Sequence, residues 1–194
     1  MSSARIDSKS VGDTDLHLEL ATLETRLQSM SAAPPDAGCV RLLVRRTEGG
    51  VRETPEQASL TRAGGLAGDA WARDAERDPE AQLTVMEHEV AELIANGQPL
   101  ALFGDQLFVE LDLSRANLPP GTRLRMGAAL VEVTAKPHNG CRKFKARFGA
   151  DALRFVSRAD LRHRNLRGIY VRVVADGDVR VGDAVEVMRL GAVP

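Results

Sequence analysis

The run Thr122-Arg123-Leu124-Arg125-Met126-Gly127-Ala128-Ala129-Leu130-Val131-Glu132-Val133 reads as two short strands joined by a turn. Arg125-Met126-Gly127-Ala128 makes the turn, because glycine enters the conformations of a tight reversal without steric cost, and Leu130, Val131 and Val133 suit a pleated surface. The same signal recurs outward. Val40, Leu42 and Val44 alternate with Arg41, Leu43 and Arg45, and Ile169, Val171, Val173, Val185 and Val187 form further β-branched runs bounded by Gly, Asp and Pro. A second hairpin-like turn is expected at Ala175-Asp176-Gly177-Asp178, followed by Val181-Gly182-Asp183. Successive antiparallel strands predict a mainly β fold with a few short helices. Closing it as a β-barrel removes exposed sheet edges.

The helices fall outside these runs. One is predicted over residues 87–96, with Val90, Leu93 and Ile94 facing inward and Asn96-Gly97 as its stop. A second helical stretch runs from Cys141 to Phe155, with a break at Gly149. Near the start, Asp13, Thr14 and Asp15 can cap an amphipathic N-terminal helix whose Leu16, Leu20, Leu23, Leu27 and Met30 form one apolar stripe. That stripe either packs on the body of its own chain or pairs two copies as a homodimer. Ser31-Ala32-Ala33-Pro34-Pro35-Asp36-Ala37-Gly38 reads as a linker. The expected organisation is therefore an arm and linker over residues 1–37 and a barrel domain over residues 38–194.

The composition narrows the function. At 194 residues and 43% hydrophobic content the chain can bury a single core. A net charge of -1 argues against nucleic acid or an anionic membrane as partner. The first residues lack the apolar stretch of a signal peptide, and no run approaches the ~20 residues that span a bilayer, so a cytoplasmic location is expected. Two cysteines, Cys39 and Cys141, are too few for a disulfide framework.

Cys141 carries the chemistry. It lies in Lys136-Pro137-His138-Asn139-Gly140-Cys141-Arg142-Lys143-Phe144-Lys145-Ala146-Arg147-Phe148-Gly149, where a strand ends and a basic helical turn begins. Helix N-termini and neighbouring cations favour the thiolate, which is both nucleophile and metal ligand. The alternative is a buried, inert thiol. Gly64-Gly65-Leu66-Ala67-Gly68-Asp69-Ala70-Trp71 offers backbone amides to a ligand, or is a tight barrel turn whose Asp69 accepts backbone hydrogen bonds. Arg158, Arg162, Arg164 and Arg167 crowd a loop that can seat an anionic cofactor, or can stay solvated and pair with Asp160. His138 and Cys141 form a lone His-x-x-Cys without the second pair of a structural zinc site. A nucleophile pair of Cys141 with His138 or His163 lacks an orienting third residue that the sequence identifies.

The order of these pieces resembles the MOSC domain, the C-terminal domain of molybdenum cofactor sulfurase. The resemblance rests on Gly65 to Asp69, residues 82–96, Phe103-Gly104-Asp105-Gln106-Leu107 to Leu113, Pro120 to Gly127, the Cys141 segment and Val179-Arg180-Val181-Gly182-Asp183, and spans residues 39–189. It looks like a stand-alone bacterial-type member. The resemblance implies a β-barrel in which Cys141 is a persulfide site or a molybdenum ligand, in sulfur transfer or a small oxidoreductase reaction. It implies that Arg142, Lys143, Arg162, Arg164 and Arg167 hold the phosphate of the molybdenum cofactor (molybdopterin) or raise the thiolate fraction, and that Asp69 and Asn139 contact the pterin or organise its pocket. A cysteine desulfurase is the implied sulfur donor and a molybdoenzyme the implied acceptor. Pyridoxal phosphate is expected only on the partner desulfurase. Two positions depart from the family pattern: Gly140-Cys141 stands where many relatives carry Pro-Cys, and Gln106-Leu107 where they carry Asn-Leu. The reading from a different class is a non-catalytic module that binds another anionic ligand or a protein partner in the same pocket.

Overall fold

The computed structural model of the chain describes residues 5–7 and 11–189. Its strands are β1 (Arg5–Asp7), β2 (Ala37–Leu43), β3 (Arg45–Arg46), β4 (Val51–Glu53), β5 (Gln57–Thr61), β6 (Gly65–Leu66), β7 (Leu83–Glu87), β8 (Leu107–Val109), β9 (Arg123–Met126), β10 (Ala129–Val133), β11 (Ile169–Ala175), β12 (Gly177–Arg180) and β13 (Ala184–Met188). Its α-helices are α1 (Leu20–Ser29), α2 (His88–Ala95) and α3 (Arg142–Val156). Seven strands close a barrel in the order β10-β11-β7-β8-β2-β13-β9, and β9 pairs back onto β10. Every pairing in the ring is antiparallel except β7 with β8, which is parallel. An odd ring cannot close on antiparallel pairs alone, because direction would have to alternate around it; one parallel pair restores the count. A parallel pair needs a crossover, and α2 with the 3-10 turn Leu100–Phe103 supplies it.

That crossover lays a helical layer on one side of the barrel. Leu83, Val85, Leu107, Val109, Leu124, Val131 and Val171 fill the barrel interior. Met86 and Phe108 point the other way, into a second core with Leu23 and Leu27 of α1, Val90 and Ile94 of α2, and Phe144, Phe148 and Phe155 of α3. Both faces of β7 are therefore covered, and all five of its residues are buried.

The hairpin of β9 and β10 forms as read, with Met126 opposite Ala129 and Gly127 at φ 54 in the two-residue loop. Helix α2 starts after Glu87 and stops at Asn96, which takes the left-handed conformation. Gly149 does interrupt α3, at φ 94 and ψ 166. Three expectations need correction. The chain turns after β11, but β12 pairs with β5 in a separate three-stranded sheet rather than with β11, because Asp178 bonds the side chains of Ser59 and Gln57 and Asp176 bonds Arg62. A register shift between Val40 and Leu42 puts Val40 and Leu43 in the barrel and turns Leu42 and Val44 to the helical layer. Finally, Asp13 caps a single 3-10 turn, Thr14–Leu16, and α1 begins only at Leu20. Leu23 and Leu27 are buried against α2 and α3 of their own chain.

Candidate functional site

Cys141 is the N-cap of α3, in an extended conformation, with its thiol exposed and engaged in no capping hydrogen bond. The preceding Gly140 packs closely on α3. A Cβ on Gly140 would stand 2.5 Å from Leu153 Cδ1 and 3.3 Å from Val156 Cγ2, so a larger residue here would require those side chains on the second half of α3 to shift.

The thiol borders a cleft of about 270 Å³ between the barrel wall and the helical layer. Its cations come from separate elements: Arg46 from β3, Arg52 from β4, Lys143 and Arg147 from α3, and Arg167 from the loop before β11. Asp105, Gly104, His138, Trp71 and Tyr170 complete the wall with Thr84, Gln106, Phe103 and Phe144.

Arg46, Arg167 and Arg147 are each braced. Arg46 is gripped by Asp69, whose carboxylate accepts from Arg46 Nη2 at 2.5 Å, Arg46 Nε at 3.0 Å and the Arg46 and Trp71 amides at 2.9 Å. Burial pushes the Asp69 carboxyl up, but the hydrogen bond and charge of Arg46 outweigh it and hold it below the ordinary range. Gln106 bonds Asp69 on one side and Thr84 on the other, tying β7 to the turn. Arg167 donates to Asp105 at 2.6 Å, with the two side chains 7% and 1% exposed, and lies over the Phe103 and Phe144 rings. Arg147 donates to the Leu102 carbonyl at 2.8 Å. Burial lowers the pKa of Arg147, and the charge of the nearby Cys141 opposes that shift.

Arg52 and Arg147 approach one another. Arg52 Nε and Nη2 and Arg147 Nη1 all lie within 4 Å of the place a Gly104 side chain would occupy, which puts the two guanidinium groups within about 8 Å. At an effective dielectric near 20 two like charges at that separation repel by roughly 2 kcal/mol.

Opposite, His138 Nδ1 stands 3.7 Å from Asp105 Oδ1, and neither atom, nor Arg167 Nε, has a hydrogen-bond partner although all three are buried. Burial pushes the imidazole down to about 4, against the pull of Asp105, so it is neutral near pH 7. Unsatisfied buried atoms cost free energy, and three of them on one wall mark a place where a bound group or water completes the structure.

Of the residues singled out in the sequence, His138, Cys141, Lys143 and Arg167 line this cleft. Asp69 lies behind it and holds Arg46. Asn139 and Arg162 line a neighbouring groove of about 440 Å³ that shares His138 and Arg167 with the cleft. Arg142 and Arg164 line neither, and Arg164 acts instead on the buried Glu87, whose carboxyl burial raises to about 7. Arg158 is occupied by Asp160 and Glu24. Sequence reasoning gave no site role to Arg46, Arg52, Arg147, Gly104 or Asp105, although Gly104 and Asp105 belong to the Phe103 to Leu113 segment that carries the family resemblance. Arg147 did carry a signal: it shares the buried face of α3 with Phe144 and Phe148, where a charge is out of place.

Among the described residues no three His, Cys, Asp or Glu side chains form a metal cluster, and no helix is long and apolar enough to cross a membrane. A closed barrel with an arginine-walled, thiol-edged cleft thus defines the class of protein. The MOSC domain profile matches residues 70–186, more than half of the chain, and the protein belongs to the MOSC domain family, which is linked to the molybdenum cofactor. No curated protein matches the chain. Among solved structures it is similar in fold to the YuaD protein from Bacillus subtilis, with 17% identity, TM-score 0.58, and coverage of 78% of this chain and 95% of that one. It is also similar to YiiM from Escherichia coli, with 22% identity, TM-score 0.51, and coverage of 78% and 70%.

Proposed function

We propose that the protein is a molybdenum-cofactor-linked sulfur carrier or small oxidoreductase domain in which Cys141 is the persulfide site or the molybdenum ligand. The observation that carries this reading is an exposed thiol on the edge of a cleft lined by four arginines and a lysine. Family membership supports it.

The residues fit the cofactor. Five cations suit an anionic pterin, and the unsatisfied Asp105, His138 and Arg167 atoms suit a ring that brings its own donors and acceptors. Cys141 is a single soft donor, so it would complete the shell of a metal that arrives with its own sulfur ligands. When bound, the cofactor supplies redox and oxygen- or sulfur-transfer chemistry at molybdenum. Arg46, Arg52, Lys143, Arg147 and Arg167 would hold it, with Asn139 and Arg162 placed to receive a part that extends into the neighbouring groove.

In the carrier reading the chain acts with Cys141 alone. Its thiolate attacks the outer sulfur of a donor persulfide such as a cysteine desulfurase presents, the donor sulfur–sulfur bond breaks, and the donor thiolate leaves with the electron pair. The cations around the cleft stabilise the anionic persulfide until a molybdoenzyme or its cofactor accepts the sulfur. The test is molybdenum content and intact mass of wild type and Cys141→Ser purified from a host that makes the cofactor. Molybdenum or an added sulfur atom in wild type, lost in the variant, is expected. Equal loading of a folded Cys141→Ser variant would leave the non-catalytic binding module as the reading.

A further inference from the structure

We propose that a second cavity, bounded by the loop between β8 and β9, the segment after β10 and the loop before β11, binds a small organic carboxylate with an apolar body. Its volume is about 360 Å³, and of its described lining residues only His138 also borders the Cys141 cleft. At ~30 Å³ for each water it would displace, that is room for a ring with a carboxylate attached. The site stands whether or not Cys141 carries sulfur.

The lining divides into an apolar part and a cationic part. Leu118, Val133 and Ile169, at 1%, 4% and 6% exposure, belong to the barrel core and give the cavity an apolar floor, with Pro120 and Pro137 beside them. The hydroxyl of Thr134 is turned away from the cavity's needs, since it donates to the Glu80 carbonyl at 2.7 Å. Arg115, Arg162 and His163 line the same cavity from exposed positions, and no acidic side chain is among its described lining residues. Lys136 is already paired with Asp78, whereas no side-chain hydrogen bond or ion pair holds Arg115 or Arg162 among the described residues. Two unengaged guanidinium forks over an apolar floor fit an anion whose remainder is apolar. A carboxylate meets the planar fork with both oxygens and leaves the rest of the molecule free to cover the floor.

The cavity is formed before any ligand arrives. The Arg115 amide donates to the His163 carbonyl at 2.7 Å, and Asn165 Nδ2 donates to the Leu113 carbonyl at 2.8 Å, so the two loops that carry the arginines are tied to each other. Asn165 takes the left-handed conformation at φ 50, and its carbonyl accepts from the Gly168 amide at 2.6 Å. Gly168 is at φ +90, and a Cβ there would stand 2.3 Å from the Val85 carbonyl oxygen, so the loop lies directly on β7. A site whose walls are already placed loses little freedom on binding.

The experiment is calorimetric titration of the full chain with benzoate, with acetate, which has the charge without the apolar body, and with benzamide, which has the body without the charge. Saturable binding of benzoate, at least tenfold tighter than either control, is expected in wild type. Arg115 borders this cavity and neither the Cys141 cleft nor the groove beside it, so Arg115→Ala isolates the site, and it should weaken benzoate at least tenfold. Ala159→Trp adds bulk at the exposed wall of the cavity without changing charge and should weaken benzoate as much. Thermal melts confirm that both variants are folded. Benzoate that binds wild type no better than acetate or benzamide, or folded variants that bind it as wild type does, overturns the proposal.

Discussion

Arg158, Arg162 and Arg164 share one loop with Arg167, but of the four only Arg167 turns into the Cys141 cleft, where Arg46, Arg52 and Arg147 arrive from three other segments. The other three loop arginines remain near solvent, where Arg158 is taken up by Asp160 and Glu24. Arg52, Arg147 and Arg167 are buried while Arg46 keeps 33% of its side chain exposed, and specific partners offset the desolvation: Asp69 for Arg46, Asp105 for Arg167, the Leu102 carbonyl for Arg147. Charge clustered in sequence is cheap because water solvates it. Charge converging in space has to be built, and it marks the site.

The largest test of that contrast is the buried pair of Arg167 and Asp105. Arg167→Met leaves the Asp105 carboxylate 1% exposed and unbalanced, and should destabilise the chain by about 3–5 kcal/mol in urea unfolding. Replacing both partners, with Asp105→Leu added, should recover most of that loss, because no uncompensated charge remains. If the single variant costs under about 1 kcal/mol, the convergent arginines are no more embedded than the loop arginines, and the comparison fails.

A smaller effect separates the buried groups by pH. The His138 imidazole is held at about 4 in the folded chain against 6.5 when free, so between these values the unfolded chain binds a proton that the folded one refuses, and stability falls as pH falls. Glu87 has the opposite sign. Its carboxyl is raised to about 7 from 4.5, so between these values the folded chain keeps a proton that the unfolded one releases, and stability falls as pH rises. Each contributes at most about 3 kcal/mol, and they oppose one another between pH 4.5 and 6.5. Glu87→Gln should therefore gain stability as pH rises from 4 to 6.5, and His138→Asn should lose it from 4.5 to 7. Melting temperatures across that range check both slopes, and parallel profiles for the two variants would remove this assignment.

Much of the fold was legible because its signals are local. The Gly127 hairpin, the Asn96 stop and the Gly149 break each depend on a few neighbouring residues. The parallel pairing of β7 with β8 was not, since strand direction in a closed ring is a property of the whole ring. Likewise, the pairing of β12 with β5 depends on Asp176 and Asp178 reaching residues more than a hundred positions away. The site divides in the same way. Cys141 is visible because a thiol before a basic helical turn is unusual by itself, while Arg52 and Gly104 acquire meaning only from a contact between distant segments.

The smallest expected effect falls on the loop. Arg162 lines the neighbouring groove rather than the Cys141 cleft, and no ion pair holds it among the described residues. Arg162→Ala should change unfolding free energy by less than about 0.5 kcal/mol, as surface substitutions without buried partners do. The informative comparison is with Arg167→Met, since each variant removes one positive charge. If stability followed net charge, the two would lose the same amount. If it follows the burial of the charge beside its partner, Arg167→Met is much the less stable, and the arginines of the cleft are part of the packed structure rather than a share of a general positive field.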